Sequence, residues 1–199
     1  MSVLFSKNKR NGFTLVELLV ALAITGMVLA AVSNLFISSN KLYTVQSKVS
    51  NVQQDIRAAM SIMARDIRMA GYDNPEFEDD NSGITNADST RFVFTYDNST
   101  GGSETYGYRY DSSSRSLDYN FPNTGGDFQG LTEEDTISDV QFVYNLEDGG
   151  WTNSPADPSN VRQVRVRLCG QISGPYSDAH DSAYCFNNTI TCRNMLLKE

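Results

Sequence analysis

The sequence predicts an α+β protein: a long amino-terminal helix, transmembrane in one half and amphipathic in the other, packed on an antiparallel β-sheet head. Three observations predict it. Residues 15–32 read LVELLVALAITGMVLAAV, with Glu17 the sole charge. Leu42, Val45, Val49, Val52, Ile56, Ala59, Met63 and Ile67 then recur at steps of three and four, the signature of one apolar stripe on a helix. Past residue 90 the apolar period falls to two, in short runs separated by Gly, Asn and Ser, as antiparallel strands require.

The elements follow in order. Residues 1–12 form a basic leader holding Lys7, Lys9 and Arg10 and no acid. Residues 13–37 form a helix that, at about 1.5 Å per residue, is long enough to cross a hydrocarbon core of about 30 Å. The leader's three cations stay on the cytoplasmic side by the positive-inside rule, which places the rest across the membrane. Residues 38–70 continue as an amphipathic stalk, so the helix from Phe13 to Ala70 extends about 87 Å. Gly71 and Pro75 end it. The head covers 71–199 and begins with a polar, acidic linker at 71–90. Strands are expected around Phe92–Tyr96, Tyr106–Tyr110, Leu117–Tyr119, Val140–Tyr144, Val164–Leu168 and Ile190–Cys192. They form a β-meander over the helix stripe, with the aromatic alternation read as core.

Charge and composition exclude most catalytic classes. The 199 residues carry 16 Lys plus Arg against 24 Asp plus Glu, a net charge of −8. The leader's +3 therefore leaves −11 on the rest, which repels polyphosphate, so no nucleic acid is expected as a partner. Arg162, Arg165, Arg167, Arg193 and Lys198 are read as an outward strand face paired with nearby acids. The single His, His180, sits among Ser177, Asp178 and Asp181 as in a wet loop, and no HExxH, GxSxG or Gly-rich phosphate cradle is present. Five acids between Asp73 and Asp80 have the oxygen chemistry of a hard-cation site but lack EF-hand spacing, and are read as solvated. No enzyme, cofactor or metal is expected.

The segment Gly12-Phe13-Thr14-Leu15-Val16-Glu17, behind its basic leader, resembles the class III signal of type IV pilins and type II secretion pseudopilins. The resemblance implies a pilin fold. It also implies that a membrane prepilin peptidase cuts between Gly12 and Phe13, that Phe13 becomes the N-methylated terminus, and that the apolar helix stays on the mature chain. Gly26 falls where these helices usually carry Gly, whereas Asn34 stands where many major pilins have a bending Pro, which points to a minor pilin. Residues 63–72 (MARDIRMAGY) and 137–144 (ISDVQFVY), followed by Asp148-Gly149, are similar to PilW-type minor pilins, with looser likeness at Arg162–Leu168 and Cys192-Arg193-Asn194. Pseudopilin J of type II secretion shares the plan.

Glu17 is the residue on which function should turn. A carboxylate at the centre of a membrane helix costs up to about 2.5–3.5 kcal/mol, less near an end, so it marks function by default. After cleavage the Phe13 amine lies one helical turn away. At 4 Å and an effective dielectric near 20 an amine–carboxylate pair gains about 4 kcal/mol before desolvation. The resemblance favours a pair with a neighbouring subunit, which sets axial register.

The expected topology puts Cys169, Cys185 and Cys192 in an oxidising compartment, so one disulfide and one leftover thiol are expected. Cys185 with Cys192 closes a short loop. Cys169 with Cys185 closes a longer one, slightly preferred because it clips the acidic loop (Tyr176 to His180) to a strand end; the sequence leaves both open.

The function implied is structural: a minor pilin of the inner membrane, single-pass with its head periplasmic, that joins other minor and major pilins through its helix and helps initiate a pilus. A J-type pseudopilin is the near alternative. A single-span anchored enzyme or ligand-binding protein is the distant one.

Overall fold

The computed structural model describes residues 12–73, 83–97, 102–120, 122, 127–172 and 184–196. The chain divides into two units, Met1–Gln46 and Ser47–Glu199. A single α-helix, α1 (Leu15–Met69), contributes to both.

In the first unit the large apolar side chains of the helix from Leu15 to Tyr43 are exposed, and Val45 is buried. In the second, the pattern changes to a stripe. Val52, Ile56, Ala59, Met60, Met63, Ala64, Ile67 and Ala70 are buried, while Arg57, Ser61, Arg65 and Arg68 stay exposed. The stripe read from sequence overreaches at its start, because Leu42 is 58% exposed.

Two antiparallel sheets cover the buried face, where a single meander was expected. The first has the order β1 (Gly83–Ala87), β2 (Arg91–Asp97), β3 (Ser103–Asp111), β4 (Ser116–Asn120) and β5 (Phe128–Gly130). The second runs β7 (Trp151–Thr152), β6 (Ile137–Leu146), β8 (Val161–Gly170) and β9 (Tyr184–Thr191). A further correction concerns the linker expected at 71–90, whose residues 83–87 form β1. This short strand buries Ile84 and Ala87 and pairs Ile84 with Phe94 and Ala87 with Phe92, so β2 is not left as an open edge. Backbone bonds stitch the sheets together, from Phe142 to Ser89 at 2.9 Å and from Ile137 to Arg115 at 2.9 Å. The Tyr144 hydroxyl adds a bond to the Asp88 carbonyl at 2.7 Å.

The core formed between the helix and the two sheets contains Phe92, Phe94, Tyr108, Leu117, Phe142, Tyr144, Val164, Val166 and Leu168, all fully buried. Gly170 lets the second sheet come close. A Cβ there would meet Val52 Cγ1 at 2.6 Å and collide with Ile56 Cδ1, so only the bare backbone fits. At the helix end, Gly71 takes φ 76°, the left-handed conformation that terminates helices at little cost in glycine. Its N–H donates to the Thr95 carbonyl of β2 at 3.1 Å, so the chain leaves the helix already bonded to the first sheet.

One acid lies on the buried side. Asp66 is 5% exposed; its Oδ2 accepts from the Tyr108 hydroxyl at 2.7 Å and the Tyr119 hydroxyl at 3.4 Å, and its Oδ1 from Arg65 Nε at 3.0 Å. Burial, reinforced by the neighbouring carboxylate, pushes the Tyr108 phenol far above its usual range, so it remains a donor. The carboxylate thus ties the helix to β3 and β4.

Cys169 and Cys185 are opposite one another in the β8–β9 ladder and form a disulfide. Cys192 is free and fully buried, and burial pushes its thiol up to about 12.

Two outcomes are expected. Asp66→Ala, which strands the buried Tyr108 hydroxyl, lowers the stability of the full chain in detergent by about 1–3 kcal/mol, whereas Asp66→Asn, which keeps an acceptor, loses less; chemical denaturation measures both. Alkylation without reductant leaves the native protein unmodified and adds one group after denaturation, with three only once the disulfide is also reduced; mass spectrometry counts them.

Candidate functional site at the helix amino terminus

The first turn of α1 is held by a reciprocal pair of bonds. Thr14 Oγ1 accepts from the Glu17 N–H at 3.2 Å. Glu17 Oε2 accepts from the Thr14 N–H at 3.0 Å and from its hydroxyl at 3.1 Å. This is a capping box, in which residues three apart satisfy backbone donors that a helix start leaves without partners. Thr14 was missed in the sequence reading, although the Thr-x-x-Glu spacing ahead of an apolar run is itself the signal. The negative side chain also sits where the helix dipole favours it.

Gly12 and Phe13 precede this turn in non-helical, exposed backbone, Phe13 with 83% of its surface open. The structure therefore brings Gly12, Phe13 and Glu17 together at one helix end, in a stretch left exposed by the described residues. Glu17 Oε1 accepts none of the hydrogen bonds found among the described residues. Residues 1–11 of the leader lie outside the described residues.

Beyond the cap, the helix surface is apolar on all sides. Fifteen large apolar side chains between Phe13 and Ile37 are each more than half exposed. At about 1.5–3 kcal/mol for covering each, the surface stands to gain tens of kcal/mol from lipid or from other helices. Two of the polar groups satisfy themselves: Thr25 Oγ1 donates to the Ala21 carbonyl at 2.7 Å and Ser33 Oγ to the Leu29 carbonyl at 2.8 Å. Such bonds suit a helix in a medium without water. By length and composition α1 is able to cross a membrane.

The head places the remaining candidates elsewhere. Arg162 pairs with Glu147 at 2.8 Å, and Arg165 lies over the Trp151 ring at 4.0 Å. Arg167 approaches Cys185 Sγ at 3.8 Å, and Arg193 is exposed. Lys198 and the His180 loop lie outside the described residues, as does most of the acidic run from Asp73 to Asp80. Among the described residues no group of three metal-ligating side chains converges.

Comparisons with known proteins converge on the same two regions. Residues 7–33 match the prokaryotic N-terminal methylation motif. Residues 45–187 match the family described as prepilin peptidase-dependent protein B. The pilin-like protein PilA3 of Thermus thermophilus is 40% identical over 62 residues, which is 31% of this chain and 27% of PilA3. The chain thus matches only about a quarter of that curated relative's length. No solved structure matches. A methylation motif, an apolar helix able to span a membrane and a head matched over most of its length agree, and the chain belongs to the prepilin peptidase-dependent protein B family of type IV pilin-like proteins.

Proposed function

We propose that this chain is a minor pilin: a structural subunit cut between Gly12 and Phe13, N-methylated on Phe13, and built into a type IV pilus whose assembly it helps to initiate. Before assembly it is anchored in the inner membrane by residues 13–37, with its amino terminus cytoplasmic and its head periplasmic. The observation that carries the reading is an all-round apolar helix surface interrupted by one carboxylate at its tip. Lipid and a bundle of neighbouring helices both cover such a surface, so the subunit passes from one to the other with little change in apolar burial. What decides between them is polar. The Phe13 amine freed by the peptidase is a buried cation in need of a partner, and Glu17 of an adjacent subunit supplies one.

The capping box makes the test sharper, because Gln fills the third helical position of a capping box as Glu does but carries no charge. Glu17→Ala and Glu17→Gln are both expected to insert in the membrane and to be cleaved normally. Both should fall at least about tenfold in sheared fibres from the native bacterium, measured by quantitative immunoblot. Wild-type amounts of the Gln variant would show that Glu17 serves as a cap alone.

A further inference from the structure

Between the exposed face of α1 and strand β9 runs a groove of about 430 Å³, lined by Arg57, Met60, Ala64, Arg65, Arg68 and Phe186 among others. It belongs wholly to the second unit and lies outside everything assigned to the helix amino terminus.

Its charge is out of keeping with the rest of the molecule. The chain carries a net −8, yet three arginines face one groove. Positions 57, 61, 64, 65 and 68 share one helix face, and none of the three arginines has an acid three or four residues away on the helix. Elsewhere in the head Arg91 and Arg165 lie over aromatic rings, whereas Arg109, Arg115 and Arg162 each have a carboxylate partner, in Asp118, Asp135 and Glu147. In the groove only Arg65 has such a partner, through its Nε to Asp66, and its side chain is still 76% exposed. Arg57 and Arg68 hold no carboxylate among the described residues. The Arg57 guanidinium lies 5.3 Å from the centre of the Phe186 ring, which leaves its N–H groups at the edge for another acceptor.

The groove's floor and flank define the shape of what would fit. Met60 and Ala64 are buried beneath it and Phe186 is half-buried, so the floor is apolar. Along one side, β9 is the terminal strand of its sheet and pairs only with β8 among the described residues. A terminal strand offers backbone donors and acceptors to an extended chain.

We propose that this groove binds an extended acidic protein segment, carboxylates to Arg57, Arg65 and Arg68 and an apolar side chain to the floor, supplied by a neighbouring subunit of the fibre. The identity of the donor as a neighbouring subunit rests on the assembly reading; the chemistry of the groove does not. A duplex nucleic acid fits less well, since its evenly spaced phosphates would run past three cations onto an acidic surface.

The test uses the unassembled full chain in zwitterionic detergent, with a fluorescein-labelled Asp-Glu-Phe-Glu-Asp peptide followed by anisotropy. Binding should weaken as salt rises, and the uncharged Asn-Gln-Phe-Gln-Asn peptide should not bind. Arg57→Gln with Arg68→Gln should weaken the acidic peptide at least about tenfold, and Ser61→Trp, which keeps every charge but fills the groove, should do the same. Both variants alter exposed positions, and retained protection of Cys192 from alkylation verifies their folding. Absence of binding, equal binding of the uncharged peptide, undiminished binding by the Arg variant, or displacement by an oligonucleotide at lower concentration than by the acidic peptide would each overturn the proposal. Because no fibre is involved, its failure leaves the Glu17 mechanism standing, and failure of the Glu17 variants leaves this result standing.

Discussion

One helix in this protein has to satisfy two solvents. Over Leu15–Ile37 its side chains are apolar in every direction and exposed, whereas beyond Val49 only one face is apolar and that face is buried under two sheets. No isolated chain in water accommodates the first half, because exposed area of that extent is tens of kcal/mol from its best environment. The second half is satisfied within its own unit. In the proposed function, membrane anchoring and later polymerisation both draw on the half that is not.

Glu17 gives that surface a direction. Apolar packing alone is tolerant of sliding, since a helix of Leu, Val, Ala and Ile presents similar contacts after a shift of one turn. In the proposed assembly, a carboxylate at a fixed position, bonded through one oxygen to Thr14, would penalise every register but the one that supplies a cation. In the head the corresponding constraint is Asp66, which is held by Tyr108, Tyr119 and Arg65. Together with Gly170 against Ile56, it holds the stalk half of the helix to the sheets.

Much of this was legible in the sequence, and the exceptions have physical causes. The helix, its two halves and six strands announce themselves by period. Strands β5 (Phe128–Gly130) and β7 (Trp151–Thr152) are too short to carry a period, and β1 is too polar. Period also says nothing about which strands pair, so two sheets were read as one. The choice of Cys185 as the partner of Cys169 depends on cross-strand register, which spacing along the chain does not contain. The burial of Asp66 depends on which strands cover the helix, which an isolated acid in a helical pattern does not announce. The arginine groove was invisible for a related reason: cations at helical spacing look like an ordinary wet face until β9 and Phe186 close its other side.

The central claim is that the apolar helix is kept on the mature protein with a newly made cation at its tip. Mass spectrometry of the amino terminus of the protein taken from the native bacterium, from membranes and from sheared fibres, tests it directly. The account predicts a chain beginning with N-methylated Phe13 in both fractions. A chain that keeps Met1, or one cut after the apolar helix so that Glu17 is lost, would contradict it.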